Sequence, residues 1–194
     1  MDEDCIFNKA NALGTEDLEH ALRENVYTSK YFCSVLARDE IALHQCRGNF
    51  PRIHIINTDP LRKQGQHWLA FIRDTPHDVR IFCSFGIHPS LYSKALFKDL
   101  KQFCKFGTMY INPFHYQNIR SIVCGHYALL FSLVDLKRKK CFACPLKLPF
   151  LTANKFHYRN DQIVFQFVNS MFPTLNHLCT QKTQSCISYA FKRK

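Results

Sequence analysis

The sequence predicts an α+β domain, and three observations carry that prediction. Three short apolar runs rich in β-branched and aromatic residues lie between Arg52 and Phe85; a helix with one apolar stripe precedes them; an almost wholly apolar helix follows at Cys124. Strands and helices grouped in this way pack as layers of one α+β unit.

Thr15 is the expected N-cap of the first helix, with Glu16 and Asp17 in its opening turn and Leu18, Ala21 and Leu22 on one face. Residues 31–36 read as a second helix or helical turn. Residues 53–57 read as a strand stopped by Thr58-Asp59-Pro60, and residues 67–72 and 79–85 as two more, joined into a hairpin by the polar link 74–78. Ser90 is the expected cap of a helix reaching about Phe103, and 110–121 is turn-rich and polar. Residues 124–134 are apolar almost all round, which predicts a buried helix, and the cations Lys137-Arg138-Lys139-Lys140 suit its C-terminal end. Asn160 caps a last amphipathic helix from Asp161 to about Phe172. With no repeat or Gly/Ser-rich linker, residues 1–194 form a single domain, with 1–28 a helical N-terminal extension and 188–194 a loose basic tail.

A hydrophobic content of 46 % with 14 % aromatics is enough for one core and argues against disorder. The net charge of +11 creates a field that attracts nucleic acid, an acidic partner or an anionic surface, and a solvated basic face accounts for it equally well. Ten cysteines could mean a secreted disulfide scaffold. The acidic opening Met1-Asp2-Glu3-Asp4-Cys5 lacks the order of a signal peptide, and no apolar run approaches the roughly 20 residues of a membrane span. Cys33 and Cys83 also sit in apolar segments, where a thiol packs as a small hydrophobe. The expectation is a reducing, intracellular setting with free thiols and no membrane partner.

Three local patterns carry chemistry: Gly65-Gln66-His67-Trp68, a histidine opening a strand beside the only tryptophan; Gln117, seven residues before Cys124; and Cys124-Gly125-His126-Tyr127, a cysteine where a loop enters a buried helix. The first turn of a helix carries unpaired N–H groups and about half a positive charge, which favours a thiolate. An imidazole can take the thiol proton and form an ion pair. The Gln117 amide and the Cys124 backbone N–H are candidate oxyanion donors, and Gly125 leaves room for a substrate carbonyl.

Over residues 29–136 the chain resembles the adenovirus-type cysteine proteases (the adenain family), and more closely the proteases of Maverick/Polinton elements and adintoviruses. The resemblance rests on Phe32-Cys33-Ser34-Val35-Leu36-Ala37-Arg38-Asp39-Glu40, Asn57-Thr58-Asp59-Pro60, Gly65-Gln66-His67-Trp68, Phe82-Cys83-Ser84-Phe85-Gly86 and Val123-Cys124-Gly125-His126-Tyr127. It implies a papain-like α+β fold of the type shared with SUMO-specific proteases: a central mixed sheet packed by helices, with the nucleophile at the start of a buried helix. It implies a thiol endopeptidase of the nucleus or virion that cleaves viral or element-encoded capsid and core precursors; a monomer is the separate expectation for its assembly. By position Cys124 is the nucleophile, His67 the base and Gln117 the oxyanion donor, while Trp68 and the loop before Cys124 line the cleft. Cys83 stands where the family carries Asp or Glu to hold the histidine. No cofactor is required by the sequence; DNA or a peptide activator is compatible with it. An isopeptidase for ubiquitin-like proteins and a catalytically weakened or inactive binding module are the alternatives.

Two signals fall outside this reading. Cys141-Phe142-Ala143-Cys144 has the spacing of half a zinc site but no matching second half, so it reads as a pair of thiols, and no metal site is assigned. His126 should point away from the site along its helix, and His88, His115 and His157 fall in loops or near turns.

Overall fold

The strands of this chain are apolar on both faces because the sheet they form is covered on both sides. A computed structural model describes residues 12–44, 49–63, 65–137, 148 and 150–178. Its five strands, β1 (Phe32–Leu36), β2 (Arg52–Asn57), β3 (Trp68–Arg73), β4 (Val79–Phe82) and β5 (Met109–Ile111), are laid side by side in chain order. The sheet is mixed: β1 runs parallel to β2, β2–β3 and β3–β4 are antiparallel, and β5 runs parallel to β4. The helices are α1 (Thr15–Glu24), α2 (Pro89–Tyr92), α3 (Lys94–Phe103), α4 (Cys124–Lys137) and α5 (His157–Met171), with 3₁₀ turns at Arg38–Leu43 and Pro173–Leu178.

On one face Ile53, Ile55, Ala70, Ile72 and Phe82 meet Leu18 and Leu22 of α1, Leu129 and Leu130 of α4, and Val164 and Val168 of α5. On the other, Ile56, Leu69, Phe71, Val79 and Ile81 meet Leu96 and Leu100 of α3 and Ile41 of the first 3₁₀ turn. The expected α+β class therefore holds, as a five-stranded mixed sheet packed by helices.

Several expectations are corrected. Residues 32–36 form strand β1, because pairing with β2 satisfies a backbone that a short helix would leave exposed. The helix expected from Ser90 is two: His88 caps α2, and Ser93, extended at φ −165°, ends it and caps α3. The turn-rich segment begins with β5. Gly14, its N–H held by the Asp17 carboxylate at 2.9 Å, caps α1 in place of Thr15. Helix α5 starts at His157, so Asn160 lies inside it, where its amide donates to the carbonyls of Tyr116, Thr152 and Lys155. Free thiols are found at Cys83, Cys104 and Cys124, but Cys33 is disulfide-bonded. Among the described residues no helix is long and apolar enough to cross a membrane. Residues 138–140, the Cys141/Cys144 pair and the 188–194 tail lie outside the described residues.

One buried ion cluster ties the layers together. Arg80 on β4 donates from Nε and Nη2 to both oxygens of Asp74, each at 2.6 Å, and forms an ion pair through Nη1 with Asp135 of α4. Removing one member strands charge in a low-dielectric site, so Arg80→Ala should cost about 3–5 kcal/mol in a urea titration. An unchanged midpoint would mean that water already screens the cluster.

Candidate active site

Three chain segments end at the same edge of the core. Because β3 and β4 are antiparallel, the start of β3 and the exit of β4 lie at one end of the sheet, and α4 packs on β3 with its own start there. This brings together His67, Cys83 and Cys124. The apolar character of α4 locks the helix that begins at Cys124 into the core, with Leu129, Leu130 and Tyr127 fully buried.

The half-buried Cys124 sulfur is faced by the backbone amides of Trp68, Gly125 and Cys124 itself. Trp68 follows His67, so this contact sets the imidazole's strand beside the thiol. His67 is 3 % exposed, stacked on the rings of Phe85 (centroids 4.6 Å apart) and Tyr92 (5.4 Å). Its Nε2 lies 3.4 Å from the Cys83 sulfur, and its Nδ1 has no hydrogen-bond partner.

Cys83 occupies a setting built for an anion. Its sulfur is 3.2 Å from the Tyr92 hydroxyl, and the amides of Phe85, Gly86 and Ile87 are turned toward it. Gly86 makes that turn at φ +66°, and a side chain there would meet the Phe114 carbonyl at 2.9 Å. Asn112 clamps the Cys83 backbone from both sides, accepting its N–H at 2.6 Å and donating to its carbonyl at 2.9 Å. Burial nonetheless pushes the Cys83 thiol up, so it stays neutral.

The electrostatics change the expected resting state. Desolvation pushes Cys124 up to about 11 against the three amides that favour its thiolate. Desolvation alone takes His67 down to about 3. The resting pair is thus thiol and neutral imidazole, not the ion pair the sequence suggests, because the histidine is dry and its partner at position 83 carries no charge.

Gln117 and Gly125 also depart from expectation. Gln117 is fully buried: its Oε1 accepts from the Ser84 hydroxyl, and its Nε2 donates to the Ser121 carbonyl at 3.0 Å and hydroxyl at 3.2 Å. The oxyanion role requires that this amide leave Ser121; as placed, it braces the loop that enters α4. The same loop is held from α5 by Asp161, which accepts from the Asn118 N–H and the Tyr127 hydroxyl, both at 3.0 Å. The space expected over Gly125 is taken by Leu13, whose Cβ would be 2.9 Å from an added side chain. Trp68 is half-buried, and its indole N–H donates to the Leu13 carbonyl at 2.9 Å. His126 turns away, as expected, and packs on Phe165 with ring centroids 4.9 Å apart. His88 caps α2, and His115 Nε2 lies 2.7 Å from the Gln117 carbonyl oxygen.

Sequence reasoning missed Tyr92, Phe85 and Asn112. Phe85 enters only as part of the Phe82–Gly86 motif, and the Asn112-Pro113 dipeptide only signals a turn. Comparison with protein-family models returns no match, and a search of curated proteins returns none either.

Proposed function

We propose that this chain is a cysteine endopeptidase with a papain-like fold, Cys124 acting as nucleophile and His67 as base. The observation that carries the reading is the Cys124 thiol at the start of a buried helix, its sulfur against the amide of Trp68, the residue that follows a histidine whose Nδ1 has no hydrogen-bond partner. A resting thiol–imidazole pair works by transfer during attack. As the sulfur adds to a carbonyl carbon, its proton passes to His67, which returns it to the leaving amine. The backbone N–H groups at the start of α4 receive the oxyanion, joined by Gln117 if Ser121 releases its amide. The resemblance of residues 29–136 to adenain-type and Maverick/Polinton proteases favours extended segments of capsid or core precursors as substrates, in the nucleus or virion. The charge of +11 suits work on a nucleic-acid scaffold.

A peptidyl vinyl sulfone tests this without knowledge of the natural cleavage site. Peptide mapping should find the adduct on Cys124, and His67→Ala should slow its formation at least about 100-fold, the low end of a general base's contribution. Labelling indifferent to His67 would sink the assignment.

The second reading, a binding module that has lost catalysis, is favoured by the high Cys124 pKa, the low His67 pKa and the engaged Gln117 amide. It requires that no peptide electrophile or substrate discriminate Cys124 from Cys104 under any pH.

A further inference from the structure

At the far edge of the sheet, three metal-ligating side chains meet that play no part at Cys124. Cys33, His44 and His54 each present one ligand atom, and these atoms lie within 4.8 Å of one another. The β1–β2 register shifts between Phe32 and Ser34, which makes Cys33 the extra residue of a bulge. Bulges re-aim side chains, and this one brings Cys33 to within 3.5 Å of His44 Nε2, beyond the end of the first 3₁₀ turn. His54 stands opposite Ser34 in the register, with its Nδ1 2.9 Å from the Ser34 hydroxyl. With that hydroxyl accepting the Nδ1 proton, Nε2 keeps its lone pair. Nε2 is fully buried and has no hydrogen-bond partner, an arrangement that costs free energy unless something binds there.

We propose that Cys33, His44 and His54 form a redox-gated zinc site, closed while Cys33 is disulfide-bonded and open once it is reduced. One thiolate and two imidazoles are a donor set for Zn²⁺, and they leave a fourth tetrahedral position for a further ligand. Zinc–ligand bonds of about 2.0–2.3 Å place tetrahedral donors about 3.5 Å apart, so Cys33 and His44 already fit. Arg73 and Arg52 both oppose a cation at His54; the Arg73 guanidinium stacks over Phe103 at 4.7 Å and donates to the Pro76 carbonyl, and the Cys33 thiolate offsets half the ion's charge.

The gating step balances simply. A dithiol reductant gives two electrons to the Cys33 disulfide and becomes a disulfide itself; Zn²⁺ then displaces the Cys33 proton to solvent. Bound zinc would clip edge strand β1 to β2 and to the 3₁₀ turn.

The test uses the full chain, stripped of metal, reduced, and titrated with Zn²⁺ against a chromogenic chelator and separately with Co²⁺. Reduced protein should bind one equivalent, with tetrahedral Co²⁺ absorption and a thiolate charge-transfer band, and oxidised protein should bind none. His44→Ala and Cys33→Ser should each weaken binding by more than the about 10–100-fold expected for loss of an outer-sphere partner, while the C141S/C144S double variant keeps it. His54 is buried and its variants risk unfolding, so half-exposed His44 is the decisive position. Binding kept in His44→Ala, binding lost only in C141S/C144S, or no uptake by reduced wild-type chain would each overturn the site.

Discussion

In a Cys83→Asp variant, alkylation of Cys124 near pH 6 is expected to run at least about tenfold faster than in the wild-type chain. In the wild type, Cys124 is pushed up to about 11 and is protonated at that pH. His67, down at about 3, has no charge beside it to hold a proton. The surroundings of position 83, by contrast, are those a carboxylate needs: the Tyr92 hydroxyl, three backbone amides and an imidazole nitrogen 3.4 Å away. An aspartate there would stay ionised and favour the imidazolium. An opposite charge at this range moves a pKa by about 1–3 units, and each unit is tenfold in the population of the ion pair. In serine triads the acid is worth about 10⁴ in turnover, and a thiol, more acidic than a hydroxyl, should depend on it less. Cys83→Asn separates the two roles of the acid. A gain confined to aspartate identifies charge as what is missing, and a gain in both identifies ring orientation. No gain in either would shift attention to the Gln117 amide held by Ser121.

Acid should unfold this chain early, by about pH 4–5. His54, His67 and His126 are buried, and desolvation takes each from 6.5 to about 3. Below pH 6.5 the unfolded chain binds three protons that the folded chain refuses, so stability falls as pH drops toward 3. Asp161 works the other way. Burial raises it from 3.8 to about 7, so folding gains one proton as pH drops through 7, and that contribution is lost as pH rises again. For these four groups the balance is two protons, or about 3 kcal/mol per pH unit, against a total stability of about 5–15 kcal/mol. The smaller downward shifts of His44 and His157 add in the same direction as the buried histidines. Urea midpoints at pH 7, 6 and 5 measure the slope, and His126→Phe, packed on Phe165, should remove one proton from it. A midpoint unchanged from pH 7 to pH 5 would show that these imidazoles are hydrated.

What could be read from the chain alone followed the range of the interactions involved. Strands β2, β3 and β4 are apolar runs closed by turn residues, so local pattern was enough. Strand β1 reads as a helical turn in isolation because what makes it a strand lies about 20 residues on: Ser34 pairs with His54. Ser93, which splits α2 from α3, is a visible capping residue that the apolar spacing on either side outweighed. At the candidate site, His67 and Cys83 were singled out from the chain by resemblance alone, and the structure sets His67 Nε2 3.4 Å from the Cys83 sulfur. Tyr92 and Asn112 were not singled out, since each earns its place through a contact with Cys83, nine and 29 residues away. Nor did the ten-odd-residue intervals among Cys33, His44 and His54 suggest a cluster; a bulge and a strand register assemble it.

The bond between the Trp68 indole and the Leu13 carbonyl gives the protein an intrinsic optical probe. Trp68 is the only tryptophan in the chain, so all indole emission originates one residue from His67. A peptide that displaces Leu13 from Gly125 would break that bond and hydrate the indole, shifting the emission to the red. On the proposed function, peptide binding over Gly125 can therefore be followed by fluorescence in unlabelled protein, independently of any cleavage.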